Sequence, residues 1–175
     1  MPDANERSFP SERFDDVLRG NAAFADASAP LPPTGEPRRR LAVVTCIDAR
    51  IDTLAVLGLD PGDAVVIRNP GARITDETHR TLAIAEHVLG VERVLVLPHT
   101  DCRMAKSDEA ALHAAIEDRT GIDTTDLVFG AIPDQLEALR ADLELLRSSP
   151  LVAGGLVAGG AMLDVASGLL RPLDL

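Results

Sequence analysis

Three short, mostly apolar runs, separated by turn and helical signals, constrain the fold of this chain most strongly. The runs cover residues 41–46, 64–67 and 91–97, and each has the length and character of a buried parallel strand. Strands that alternate with helices indicate a mostly parallel sheet flanked by helices. The sequence therefore predicts the α/β class, with ligands bound beyond the carboxyl ends of the strands.

Helical segments are predicted between and after these strands. Thr75 and Asp108 are suited to cap two of them, and Gly90 and Gly121 to end them. Leucines at helical spacing support the last segment. The helices are expected at residues 50–57, 75–89, 108–119 and 133–147, and two late strands at 151–157 and 161–166, separated by Gly159-Gly160.

An amphipathic segment precedes the α/β pattern. Residues 6–28 contain three of the four phenylalanines, read as a helix from Ser11 onward, and are followed by a proline-rich linker. Such an arm must bury its phenylalanines against its own core or a partner subunit, so a homodimer or higher homo-oligomer is expected. We predict an N-terminal helical arm and linker over 1–40 and an α/β domain over 41–175, in a single domain overall.

Composition and charge narrow the classes of partner. The formal net charge is −11, and the only compact basic run, 38–40, suits a solvated linker. We therefore expect neither nucleic acid nor an anionic membrane as a partner. The first residues carry no basic, apolar leader, so a cytoplasmic location is expected. In that reducing setting the two cysteines are expected to be ligands, catalysts or core residues, not a disulfide.

Three potential metal ligands fall at one edge of the predicted sheet. Cys46 closes the first strand, His99 follows the third, and Cys102 stands three residues later. Two thiolates and one imidazole form a donor set that suits zinc, and three protein ligands leave the fourth tetrahedral position open, as in catalytic sites. On this pattern alone, an ordinary pair of buried cysteines with a hydrogen-bonded core histidine is an equally good interpretation.

The residues around these ligands form three motifs in a fixed order. Cys46-Ile47-Asp48-Ala49-Arg50 is followed by Arg68-Asn69-Pro70-Gly71 and then by His99-Thr100-Asp101-Cys102. This order resembles the β-carbonic anhydrase family, whose members carry Cys-x-Asp-x-Arg, Arg-Asn-x-Gly and His-x-x-Cys motifs. The resemblance runs over 41–106, continues more weakly over 159–170, and looks closest to the small bacterial members.

The resemblance implies a zinc ion held by Cys46, His99 and Cys102, in a catalytic domain over 41–175. It implies the reversible hydration of carbon dioxide to bicarbonate by zinc-bound hydroxide. Asp48 would orient the hydroxide, and Arg50 would hold Asp48 ionised and away from the metal. If that pair breaks, Asp48 could fill the open position. Further residues are expected to frame the site: Arg68, Asn69, Gly71, Asp101 and Arg103.

The chain departs from the family pattern at three positions. Arg103 stands where glycine usually follows the second cysteine, Pro98 precedes the histidine, and Pro70 replaces a small residue. Two alternatives to carbon dioxide hydration therefore stay open. One is the hydrolysis of carbonyl sulfide or carbon disulfide on the same zinc site. The other is a catalytically silent zinc-binding homologue in which Asp48 or Arg103 blocks the open position.

Overall fold

The computed structural model describes residues 9–27, 31–152 and 155–175. The chain divides into two compact units, Met1–Pro33 and Thr34–Leu175. The first contains helix α1 (Asp15–Ala27), which overlaps the helix predicted from Ser11 onward. Parts of the segment predicted at 6–28 lie outside the described residues. The domain boundary predicted at residue 40 stays a prediction.

The second unit is built on one five-stranded sheet. Its strands are β1 (Leu41–Cys46), β2 (Ala64–Asn69), β3 (Arg93–Leu97), β4 (Val157–Leu163) and β5 (Leu170–Leu173). They lie in the order β2-β1-β3-β4-β5, in which the first four are parallel and β5 is antiparallel to β4. The predicted mostly parallel sheet flanked by helices is confirmed.

Four helices connect or flank these strands: α2 (Thr53–Val56), α3 (Asp76–His87), α4 (Glu109–Thr120) and α5 (Gln135–Ser148). Side-chain caps fix where α3 and α4 begin: Thr75 accepts a hydrogen bond from the backbone N–H of Thr78, and Asp108 accepts one from Ala111. The helix predicted at 50–57 is a single turn. No helix in the described part of the chain is both long and apolar enough to cross a membrane.

Parallel register brings the ends of the strands to one edge of the sheet. Cys46 lies opposite Asn69 of β2, and Thr45 lies opposite Leu97 of β3. The buried Thr45 hydroxyl also donates a hydrogen bond of 2.9 Å to the Leu97 carbonyl. The loops that follow β1, β2 and β3 therefore leave the sheet side by side.

The core forms two clusters because side chains alternate between the faces of a strand. Ala42 and Val44 pack with residues of α3 and α5 on one face. The other cluster contains Val43 from the opposite face, together with Cys46 at the very end of β1 and Cys102 beyond β3. The two cysteines thus lie at the margin of an apolar core, which shields their sulfur atoms from water.

The two late strands predicted at 151–157 and 161–166 are wrong in their bounds. Residues 151–152 form a turn, and one strand, β4, runs through Gly159-Gly160. A Cβ at Gly160 would lie 3.0 Å from Leu139 Cδ2, so this glycine permits close packing of α5 on the strand. A turn follows, because the Asp164 side chain accepts hydrogen bonds from the backbone N–H groups of Ala166 and Ser167.

Candidate metal centre

The three predicted ligands meet at the carboxyl edge of the sheet. Cys46 ends β1, while His99 and Cys102 lie in the turn that follows β3, and one ligand atom from each lies within 4.8 Å of the others. The two Sγ atoms are 4.0 Å apart. A tetrahedral zinc with Zn–S bonds of about 2.3 Å places two sulfurs about 3.8 Å apart. The separation of the sulfurs therefore fits one shared ion.

The imidazole of His99 is prepared for one ligand bond. His99 is fully buried, and its Nδ1 donates a hydrogen bond of 2.8 Å to the Thr100 carbonyl. That bond assigns the ring proton to Nδ1 and leaves the lone pair on Nε2. Nε2 has no hydrogen-bond partner among the described residues. An orphaned buried acceptor beside two sulfurs fits a metal ligand, because a buried polar atom without a partner costs free energy.

The contact between the two thiols shifts their pKa values in opposite directions. A hydrogen bond from the Cys102 thiol lowers the pKa of Cys46, although burial opposes this shift, and the same contact raises the pKa of Cys102. The backbone N–H of Gly71 also donates to Cys46 Sγ over 3.4 Å. One thiolate therefore forms readily, and a divalent cation between the sulfurs would favour ionisation of the second.

Asp48 and Arg50 form a two-point ion pair beside these ligands. Arg50 Nε donates to Asp48 Oδ1 over 2.9 Å, and Arg50 Nη2 donates to Oδ2 over 2.7 Å. These bonds lower the pKa of Asp48, which keeps the carboxylate ionised. Asp48 Oδ2 lies 3.8 Å from His99 Nε2. The structure thus shows Asp48 paired with Arg50 and next to the ligand cluster.

Arg68 and Asn69, the predicted framing residues at the end of β2, hold backbone groups, and Gly71 follows them in the next turn. Arg68 Nε donates to the Cys46 carbonyl over 2.9 Å, and Nη2 donates to the Asp48 carbonyl over 2.6 Å. Asn69 exchanges hydrogen bonds with the backbone of Arg73. Gly71 has φ +80°, and a Cβ there would lie 2.1 Å from Ile132 Cδ1. Glycine is therefore required where the chain passes the Cys46 sulfur.

Asp101 and Arg103 lie on the solvent side of the ion pair. Together with Asp48, Arg50 and Lys106 they line a cavity of about 390 Å³. Lys106 and Arg50 lower the pKa of Asp101 to about 2. The Arg103 guanidinium makes no hydrogen bond or salt bridge with any residue that the structure describes. Sequence reasoning missed Lys106, because its position on an irregular turn follows no periodic pattern.

Helix α5 contributes contacts that sequence reasoning also missed. Gln135 Nε2 donates a hydrogen bond of 3.0 Å to the His99 carbonyl, and Asp142 forms an ion pair with Arg73. Each contact joins positions 36 or more residues apart. A single sequence carries no signal that would have paired them.

The fold and the donor set fit a zinc-binding α/β protein of the catalytic type, because two sulfurs and one nitrogen from three residues could hold the ion and leave a fourth position open. Comparison with known proteins narrows this class. A family profile described as carbonic anhydrase matches residues 41–128. The chain belongs to the β-carbonic anhydrase family, whose members are zinc-dependent lyases.

Individual relatives agree over most of the chain. It is 38% identical over 158 residues to β-carbonic anhydrase 1 of Mycobacterium tuberculosis, which covers 90% of this chain and 95% of that protein. The crystal structure of a carbonic anhydrase from Streptococcus mutans matches with a TM-score of 0.85 and 35% identity, over 95% and 99% of the two chains. A carbon disulfide hydrolase of Acidithiobacillus thiooxidans is 30% identical over 77% of each chain.

Proposed function

We propose that this chain catalyses the reversible hydration of carbon dioxide to bicarbonate, with Cys46, His99 and Cys102 as its zinc ligands. The observation that carries the proposal is the convergence of these three ligand atoms within 4.8 Å of one another. Zinc bound there would supply a Lewis acid that lowers the pKa of a coordinated water far below that of bulk water, to about 7 in the best-known case.

The ion pair beside the ligands orients the attack. Asp48 Oδ2 lies 3.8 Å from His99 Nε2 and accepts a hydrogen bond from the attacking oxygen, which aims a lone pair of that oxygen at the substrate carbon. Arg50 binds both carboxylate oxygens of Asp48, so the carboxylate stays ionised and keeps its place beside the ligands. Arg68 holds the backbone carbonyls of Cys46 and Asp48, so the carboxylate and the sulfur keep a fixed spacing.

A second substrate class has one supporting observation. The relative from Acidithiobacillus thiooxidans is described as a carbon disulfide hydrolase and is 30% identical to this chain. Carbon disulfide and carbonyl sulfide are linear molecules with an electrophilic central carbon, as carbon dioxide is. The same orienting carboxylate, Asp48, would serve their hydrolysis.

The proposed enzyme acts as a homodimer or a larger homo-oligomer, and a cytoplasmic location remains the expectation. Helix α1 supports the oligomer, because none of its residues is buried. Phe14, just before the helix, and Phe24, within it, are 43% and 51% exposed. Exposed aromatic side chains in one amphipathic segment are typical of a surface that another subunit covers. The net charge of −11 supports a small-molecule substrate over a nucleic-acid partner.

Two assays on the purified chain test the proposal. Zinc per chain is measured by elemental analysis, and proton release is then followed by stopped flow after mixing with carbon dioxide at mildly alkaline pH. One zinc per chain with rapid proton release supports hydration. Zinc with no proton release, but with hydrogen sulfide formed from carbonyl sulfide or carbon disulfide, supports the second substrate class. Zinc with neither product indicates a silent homologue.

A pair of variants tests the role of Asp48. Asp48→Asn is expected to retain zinc and to lose activity about 10–100-fold, because the neutral amide pairs poorly with Arg50 and offers a weaker acceptor. Asp52→Asn is the matched control, since Asp52 caps α2 and asparagine caps a helix equally well. Wild-type activity in Asp48→Asn would contradict the proposed role.

A further inference from the structure

We propose that helix α5 positions the loops of the metal site through two contacts. These are the ion pair of Asp142 with Arg73 and the hydrogen bond from Gln135 to the His99 carbonyl. This inference rests on the zinc site of the proposed function. Neither α5 residue is one of the three converging ligands. Their effect reaches the ligands through the loops that carry them.

The first contact acts on the loop that follows β2. The Asn69 side chain accepts a hydrogen bond of 2.8 Å from the Arg73 N–H and donates one of 2.7 Å to the Arg73 carbonyl. These two bonds close residues 69–73 into a rigid turn. Gly71 lies within it and donates its N–H to Cys46 Sγ over 3.4 Å. The position of this donor therefore depends on where Arg73 is held.

Asp142 holds Arg73 by two bonds. Arg73 Nε donates to Asp142 Oδ2 over 2.7 Å, and Arg73 Nη2 donates to Oδ1 over 3.1 Å. Asp142 is only 4% exposed. Buried ion pairs contribute little net stability, because well-packed apolar side chains often replace them without a loss in the free energy of unfolding. In this pair Asp142 is buried and the Arg73 side chain is 31% exposed. A two-point pair is strongly directional, which suits a contact that fixes a loop.

The second contact acts on the loop that follows β3. Gln135 Nε2 donates a hydrogen bond of 3.0 Å to the carbonyl of His99. Gln135 and Asp142 stand seven residues apart, close to two helical turns, so both project from one face of α5. One face of a single helix thus contacts the loops that follow β2 and β3. These two strands flank β1 in the sheet, and Cys46 is the last residue of β1.

The expected consequence concerns the bond between sulfur and metal. An N–H donor withdraws electron density from a thiolate and tunes how strongly the sulfur donates to a metal ion. Removal of partners in this outer layer usually weakens metal binding about 10–100-fold. Displacement of the Gly71 N–H should make the Cys46 sulfur more electron-rich. Metal retention should nevertheless weaken, because the loops no longer hold the ligands in the geometry that the ion needs.

Variants of the ion pair separate positioning from stability. Asp142→Asn breaks the pair, whereas the double variant Arg73→Met, Asp142→Leu removes both charges and keeps an apolar contact of similar size. Arg140→Met is the matched control, because Arg140 forms an exposed pair with Glu137 on the same helix. The thermal midpoint is measured on the metal-free protein, because bound metal adds its own stabilisation. Two quantities are measured on each holoprotein: the rate of zinc transfer to a chromogenic chelator, and the thiolate-to-metal charge-transfer band after exchange of zinc for Co²⁺.

We expect Asp142→Asn and the double variant to release zinc about 10-fold faster than the wild type. Their charge-transfer bands should move to longer wavelength, because a more electron-rich sulfur is easier to oxidise. The double variant should show both the faster release and the shifted band while its thermal midpoint stays near the wild-type value. Arg140→Met should match the wild type in all three measurements.

Wild-type release rates and spectra in both ion-pair variants would overturn this inference and leave the proposed function intact. A wild-type protein that binds no zinc would overturn both. If the Asp142 variants do not fold, Gln135→Leu provides the test on the other contact. Faster zinc release in Gln135→Leu supports positioning by α5, and an unchanged rate contradicts it.

Discussion

Replacement of Gly71 by alanine should destabilise the α/β unit more than the same replacement at Gly130. Both glycines have φ +80°, where an L residue costs about 1–2 kcal/mol. An added Cβ meets nothing within 4 Å at Gly130, among the described residues, but lies 2.1 Å from Ile132 Cδ1 at Gly71. The clashing atom ends a side chain that can rotate, although Ile132 is only 2% exposed. The clash should therefore add about 1–2 kcal/mol, from the lower part of the range for overpacking.

The free energy of unfolding should thus fall by about 1–2 kcal/mol in Gly130→Ala and by about 2–4 kcal/mol in Gly71→Ala. Urea unfolding followed by circular dichroism measures both losses. The protein is kept metal-free with a chelator, because bound metal would add its own stabilisation. Equal losses in the two variants would contradict this prediction, since they would show that Ile132 does not pack against Gly71.

Four further predictions follow from the same structure. Cys102→Ala should leave less than one zinc per chain by elemental analysis, because one sulfur and one imidazole hold zinc weakly. Arg50→Gln should keep zinc but lower proton release from carbon dioxide by about 10-fold or more, because Asp48 loses its two-point partner. The backbone N–H of Asp60 and the guanidinium of Arg38 lower the pKa of Asp63. Its contribution to stability is therefore present above the unfolded-state pKa of about 3.9 and is lost as the pH falls through the folded-state pKa. In urea unfolding, the free energy of unfolding of Asp63→Asn should fall less steeply with acidification than that of the wild type. Phe14→Ser should shift sedimentation velocity profiles toward monomer, and a wild type that is monomeric at micromolar concentration would contradict the oligomer.

The ligand cluster could be predicted from sequence because strand ends converge by geometry. Cys46 and His99 stand 53 positions apart, yet each follows a run whose apolar character marks a buried parallel strand. Parallel register then brings both residues to one edge. The starts of α3 and α4 could also be predicted, because capping depends on residues close in sequence. Thr75 and Asp108 accept the capping hydrogen bonds expected of them.

The late part of the sheet could not be predicted, because Gly160 serves packing and not a turn. Gly160 lies within β4 and passes directly beneath Leu139 and Leu143 of α5, a contact between segments distant in sequence. Glycine in a strand interior is read locally as a break, but it also occurs where another element approaches closely. The ion pair of Arg73 with Asp142 was missed for the same reason: only the tertiary fold brings its partners together.

The central claim is that Cys46, His99 and Cys102 share one zinc ion. X-ray absorption spectroscopy at the zinc edge of the purified holoprotein tests it most directly. We expect two sulfur neighbours at about 2.3 Å and at least one imidazole nitrogen at about 2.0–2.1 Å. A first shell of nitrogen and oxygen alone would contradict it, as would the retention of this two-sulfur shell in Cys46→Ala.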